Sequence, residues 1–124
     1  MTHTSIDTCR IGVIGCGGMG MSIGRKLLTN DDRLRVAAVY DPDSRSIKKT
    51  KDILGQDITV CADYHEIMTM PDIDWVMIAS WNSQHCNQVV EACHAGKHVF
   101  CQKPLALTLD ECTRMIRAWR HSGI

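Results

Sequence analysis

Near the start of the chain, Gly15-Cys16-Gly17-Gly18-Met19-Gly20 fits the spacing G-x-G-x-x-G. Glycines so placed have separate tasks at a diphosphate. Gly15 lets the chain turn sharply out of a strand, Gly17 lets the phosphates approach the backbone, and Gly20 lets a following helix pack close to that strand. Gly18 and Met19 complete the loop, whose free N–H groups and positive helix end face the anion. Asp41 stands about twenty residues beyond the last glycine, the distance at which a carboxylate accepts both hydroxyls of an adenosine ribose. This is the chemistry of dinucleotide binding. A carboxylate at that place repels a 2′-phosphate, so NAD is expected ahead of NADP, although Arg45 is near enough to accommodate such a phosphate.

G-x-G-x-x-G also occurs in ordinary turns, so its meaning depends on the elements around it. Ile11 to Ile14 is an apolar run short enough for a buried strand. Ile23, Leu27 and Leu28 recur on one side of a helix, and a second apolar run, Leu34 to Tyr40, ends at Asp41. Strand, glycine turn, helix, second strand and terminal acid are all in register.

The alternation continues. Ser44 to Leu54 is predicted as a helix with a thin apolar face (Ile47, Ile53, Leu54), ended by Gly55. Ile58 to Cys61 is a third strand. Asp63 to Met70 is a short helix or turn with Ile67 and Met68 buried, stopped by Pro71. Asp74 to Ser80 is a fourth strand and Ser83 to Ala95 a helix with Cys86, Val89, Val90 and Cys93 at helical spacing. After Gly96, His98 to Cys101 is a fifth strand. Thr108 and Glu111 form a capping box for a last helix, with Leu109, Cys112, Ile116 and Trp119 as its inward stripe and Gly123 at its end.

Strands that are continuous apolar runs, separated by helices, imply an α/β fold: a doubly wound parallel sheet of order 3-2-1-4-5 with helices on both faces. Ligands of such sheets bind beyond the carboxyl ends of the strands. The loops after Ile14, Tyr40, Ala79 and Cys101 are therefore expected to converge on one crevice.

Fourteen basic and fourteen acidic residues leave a formal net charge of zero. No basic patch is present to track a nucleic-acid backbone, and no apolar run reaches membrane-spanning length. Residues 1–9 are polar and read as a disordered lead-in to one dinucleotide-binding domain, 10–124. Seven cysteines, an odd number with no export signal, read as reduced thiols in a cytoplasmic protein. Cys93, His94, His98 and Cys101 invite a zinc reading, but no C-x-x-C pair is present, so no metal is expected.

Two further loops carry unusual residues: Ser80-Trp81-Asn82-Ser83-Gln84-His85 and Cys101-Gln102-Lys103-Pro104-Leu105. Through GVIGCGGMG, DWVMIASWNSQH and AGKHVFCQKPLALT, in this order and spacing, the sequence resembles the Gfo/Idh/MocA family of NAD(P)-dependent sugar and polyol dehydrogenases. The likeness covers nearly the whole chain after Cys9, and the Ser-Trp dipeptide and VFC-x-KPLA are similar to its inositol dehydrogenase branch. The resemblance implies that Lys103, matching the lysine of the family's Glu-Lys-Pro motif, bonds the substrate hydroxyl at the nicotinamide end. Pro104 would follow a cis peptide bond. Asn82 and His85 would border the cofactor, and Trp81 would wall the nicotinamide.

Ser80, Gln102 and Pro104 would belong to the same cofactor site. Gln102 departs from the family's glutamate and removes an ion-pair partner of Lys103. Taken alone, His85 at a helix start reads as a local hydrogen-bonding residue. The resemblance also implies a second domain, absent from this chain, that supplies an aspartate and a histidine, meets the sugar or polyol substrate and often mediates association into homo-oligomers. A free-standing, non-enzymatic NAD-binding module is the alternative. A domain for CoA or a flavin is disfavoured, because Asp41 suits a free ribose diol.

Overall fold

The computed structural model describes residues 8–18, 22, 24–26 and 30–124. In chain order the elements are β1 (Cys9–Ile14), β2 (Leu34–Tyr40), α1 (Ser44–Leu54), β3 (Thr59–Val60), α2 (Tyr64–Thr69), β4 (Trp75–Ile78), a 3-10 turn (Asn82–Gln84), α3 (His85–His94), β5 (His98–Cys101) and α4 (Leu109–Ser122). Between β1 and β2, the described residues Gly18, Ser22, Gly24, Arg25, Lys26 and Asn30 are helical. Ile23, Leu27 and Leu28 lie outside the described residues.

All strands are parallel, in the order β3-β2-β1-β4-β5 expected from the sequence. Strand β1 is central, and its side chains alternate between two cores. Ile11 and Val13 join Val39, Ile58 and Met77 on the face covered by α1, through Ile47 and Leu54. Ile14 joins Ala38, Val76 and Ile78 on the face covered by α2, α3 and α4, through Ile67, Val89, Ala92 and Met115. Each fully buried Ile or Val contributes about 1.5–3 kcal/mol relative to exposure. Layers on both faces force the loops at one end of the sheet to be the open ones, and the glycine turn is among them. Among the described residues no helix is long and apolar enough to cross a membrane.

Side-chain oxygens start three of the helices. Asp43 accepts from Arg45 N, Asp63 from His65 N, and Thr108 from Glu111 N. The expected box at Thr108 is shifted by one residue, because the Glu111 carboxylate accepts from Leu107 N at 2.8 Å. Gly55 and Gly123, with positive φ, end α1 and α4 as expected.

Some boundaries and faces differ from the sequence reading. Strand β1 begins at Cys9, within the expected lead-in, because Cys9 N donates to Arg33 O and Cys9 pairs with Leu34. Residues 1–7 of that lead-in lie outside the described residues. The inward face of α4 is Met115 and Ala118, with Cys112 half-buried. Leu109, Ile116 and Trp119 of the predicted stripe are 85%, 45% and 53% exposed. The α4 axis is set by packing on α3, and that rotates the more apolar stripe toward the open edge of β5. There Ile116 and Trp119 line a groove of about 340 Å³ with Val99, Leu105 and Ile124. Ile53 of α1 and Trp75 of β4 are also partly exposed, and Thr50 takes the buried place on α1. All seven cysteines are free thiols.

Candidate active site

At the carboxyl ends of β1, β2 and β4 lies a crevice of about 500 Å³. Its walls include Gly15, Gly17, Gly18, Asp41, Ser80, Trp81 and Asn82, all expected there, and Tyr40, Pro42, Asp43 and Ser46, which sequence reasoning missed. The last three could have been found from Asp43 itself, which stands two residues beyond Asp41 and caps α1. Met19 and Gly20 lie outside the described residues.

The glycine turn is tied down by its own backbone. Gly15 N donates to Tyr40 O at 2.8 Å, and Ala79 N donates to Ile14 O at 2.8 Å. Gly15 has φ +93°, and a Cβ there would sit 2.6 Å from the Ala79 carbonyl and from Ser80 N. Three loops therefore meet with no room for a side chain. Gly17 differs: a Cβ would meet no atom of the described residues within 4 Å. Its backbone faces the open crevice, the arrangement a diphosphate requires.

Asp41 is held in place by backbone donors. Cys16 N donates to its Oδ2 at 2.7 Å and Asp43 N to its Oδ1 at 2.8 Å. Each carboxylate oxygen accepts two hydrogen bonds, so with respect to the described residues each retains one acceptor site, and a ribose diol needs those two. Arg45 is paired with Asp43, Nε to Oδ1 at 3.3 Å. These hydrogen bonds, led by that from Arg45 N, hold the Asp43 carboxyl below its usual range. A second acid at the crevice adds to the repulsion of a 2′-phosphate. The residues present thus fit an adenine dinucleotide with a free ribose.

The thiols nearby are not nucleophiles. Burial pushes Cys16 up to about 11, helped by the Asp41 charge and opposed by a hydrogen bond with Thr50. Burial likewise raises Cys101, at the end of β5, to about 11. A thiol in that state is protonated at neutral pH and inert.

The loop after β5 does not line the crevice. Lys103 and Pro104 are exposed, and Gln102 is half-buried. Lys103 N donates to Gln102 Oε1 at 2.9 Å, and the Lys103–Pro104 peptide is cis, as the resemblance implied. Trp81, 81% exposed, lines the crevice together with Asp41 and Ser46 rather than with Lys103.

His85 is turned inward and is 1% exposed. Its Nδ1 lies 2.8 Å from Pro104 O and its Nε2 3.0 Å from Ser80 O. Both ring nitrogens are engaged by the protein's own backbone, which matches the local hydrogen-bonding reading and leaves neither free to face a ligand. Gln88, one turn further along α3 and also buried, accepts a hydrogen bond from Ser80 Oγ. Sequence reasoning missed Gln88, although its i+3 spacing from His85 puts both on one helix face.

Comparison with known proteins gives a concordant picture. Residues 9–124 match the family described as oxidoreductases with an NAD-binding Rossmann fold. The chain is 38% identical to inositol 2-dehydrogenase of Burkholderia cenocepacia over 111 residues, which is 90% of this chain and 33% of that protein. It is 39% identical to inositol 2-dehydrogenase/D-chiro-inositol 3-dehydrogenase of Shouchella clausii, over 90% of this chain and 32% of that protein. Among solved structures, myo-inositol 2-dehydrogenase from Lactobacillus plantarum superposes with a TM-score of 0.85 at 27% identity, covering 94% of this chain and 34% of that one. The chain spans about a third of the length of these relatives.

Proposed function

Because this chain belongs to the Gfo/Idh/MocA oxidoreductases with an NAD-binding Rossmann fold, we propose that it is the cofactor half of an NAD-dependent polyol dehydrogenase acting on an inositol-like hydroxyl. The observation that carries the reading is the crevice itself. An open backbone at Gly17 and a carboxylate fixed at Asp41, with one acceptor site on each oxygen left open by the described residues, line one cavity. The substrate class follows from the inositol dehydrogenases to which the chain is similar.

When bound, the nicotinamide supplies the hydride chemistry: it takes a hydride from the substrate carbinol carbon or returns one to a carbonyl. The chain's own residues bind and orient. Backbone N–H groups of the glycine turn face the diphosphate, and Asp41 accepts the ribose hydroxyls. Lys103 donates a hydrogen bond to the substrate hydroxyl and stabilises the alkoxide that develops there. Ser80, Trp81 and Asn82 complete the cofactor side of the crevice, while Gln102 and Pro104 flank Lys103 on the neighbouring loop. The second domain implied by the resemblance would carry the base and the substrate contacts, and a homo-oligomer would form through it.

A second reading, a non-enzymatic NAD-binding module, is favoured by Gln102. It keeps the hydrogen bond to Lys103 N but offers the lysine no charge. Turnover separates the two. The full-length gene product, given NAD and a panel of inositols and sugars, should reduce the cofactor with at least one of them. NAD binding without turnover of any polyol would favour the module.

Asp41→Ala should weaken NAD binding roughly 10- to 100-fold, because hydrogen bonds to a charged acceptor contribute about 1.5–3 kcal/mol. The same change should narrow the preference for NAD over NADP, since the repelling charge is gone. Fluorescence titration with NADH and NADPH measures both effects.

A further inference from the structure

We propose that His85 is a positioning residue that sets where Lys103 stands, by stapling the loop after β5 to the loop after β4. This rests on the dehydrogenase reading of Lys103. The two loops leave the sheet from neighbouring strands, and among the described residues the hydrogen bonds joining them through a side chain are those of His85. One ring nitrogen meets Pro104 O, the carbonyl immediately after Lys103, and the other meets Ser80 O, beside Trp81 and Asn82 at the crevice. Both partners are carbonyl oxygens, which only accept, so each contact is a hydrogen bond only where the ring nitrogen carries an N–H, and holding both loops at once takes an N–H on each nitrogen. Gln88 fixes the Ser80 side chain from the same helix face, so the β4 loop is anchored twice from α3. Among the described residues, the β5 loop beyond Gln102 is held at Pro104 O by His85 Nδ1 and, farther along, at Leu107 N by the Glu111 carboxylate, so the His85 contact is the one beside Lys103.

The consequence concerns the reaction rather than cofactor affinity. The crevice residues that meet the dinucleotide are held by β1, β2 and Gln88. Lys103 depends on the Pro104 bond. Displacement of a reacting group by about 1 Å costs roughly a hundredfold in rate, so loosening this loop lowers kcat while the binding crevice stays formed.

The two arms can be cut separately. The amide nitrogen of asparagine sits near the place of the imidazole Nδ1, and that of glutamine near the place of Nε2. His85→Asn therefore keeps a donor toward Pro104 O, and His85→Gln keeps one toward Ser80 O. In the full-length protein, His85→Gln should lower kcat roughly 10- to 100-fold with KM for NAD unchanged, and should broaden or shift the amide resonances of Lys103 and Leu105. His85→Asn should show a markedly smaller loss of kcat and leave those two resonances near their wild-type positions.

Equal losses in both variants, or undisturbed Lys103 and Leu105 amides in His85→Gln, would overturn the proposal, since a merely structural histidine makes no such distinction. If the wild-type protein turns over no polyol, the dehydrogenase reading falls. The amide resonances still decide whether His85 holds the loop. If neither variant folds, a crystal structure of the wild-type protein decides, and an Nδ1 beyond hydrogen-bond reach of Pro104 O would refute the staple.

Discussion

Replacing Lys103 by alanine is expected to lower kcat for polyol oxidation about a hundred- to a thousandfold while NAD affinity stays within about threefold of wild type. The separation follows from where the lysine stands. It is exposed on the loop after β5, outside the crevice formed by Gly17, Asp41 and Ser80. Its backbone N–H is satisfied by Gln102 Oε1, so removing the side chain disturbs neither the loop's internal bond nor the dinucleotide walls. What is lost is a cation beside a hydroxyl that becomes an alkoxide. Lys103→Arg keeps the charge but replaces a compact ammonium with a wider planar fork, so partial recovery at best is expected. Initial rates with varied polyol and a parallel NADH titration give both quantities. A fall in NAD affinity equal to the fall in kcat would place Lys103 in the binding crevice instead.

Gly15→Ala should have the largest effect on stability. The residue has φ +93°, where an L side chain costs about 1–2 kcal/mol, and the added Cβ would lie 2.6 Å from backbone atoms of Ala79 and Ser80. Backbone cannot rotate aside as a side chain can, so the loops after β1 and β4 must separate. That separation strains the bonds from Gly15 N to Tyr40 O and from Ala79 N to Ile14 O. A loss of about 3 kcal/mol or more is expected, a large share of the roughly 5–15 kcal/mol that holds a domain together. Thermal unfolding should shift down by about 10 °C or more. An unchanged transition would mean that the turn opens easily and is not the rigid seat described.

The sheet order could be read from the sequence because each strand is a short apolar run and each crossover a helix with its own cap and stop. Asp43, Asp63 and Thr108 start α1, α2 and α4, and Gly55 and Gly123 end α1 and α4. Local chemistry of this kind is written within a few residues. The face of α4 was not legible. Leu109, Ile116 and Trp119 form a genuine apolar stripe, but periodicity gives the stripe and not its neighbour. Packing on α3 selected Met115 and Ala118. For the same reason Trp75, read as part of a buried strand, is partly exposed beside the edge strand β5.

The candidate site divides in the same way. Gly15, Gly17, Gly18 and Asp41 belong to one contiguous unit whose spacing carries its meaning, and the structure gathers them with Ser80, Trp81 and Asn82. The bonds from His85 to Ser80 and Pro104, and from Ser80 to Gln88, join residues brought together only by the fold. A sequence motif marks His85 as notable but does not say that it faces inward. Asp43 and Ser46 reached the crevice unannounced, because α1 starts at its rim.

The most direct test of the central claim is a calorimetric titration with NAD of the wild-type protein and of Gly17→Ala, each checked for its unfolding temperature. A Cβ at position 17 meets no atom of the described residues within 4 Å, so Gly17→Ala should unfold where the wild type does. It should nevertheless bind NAD at least about tenfold more weakly, because the methyl group takes the place of the approaching diphosphate. Saturable binding by the wild type together with that selective loss is the predicted result. Equal affinities in the two proteins, or no binding by the wild type, would contradict it.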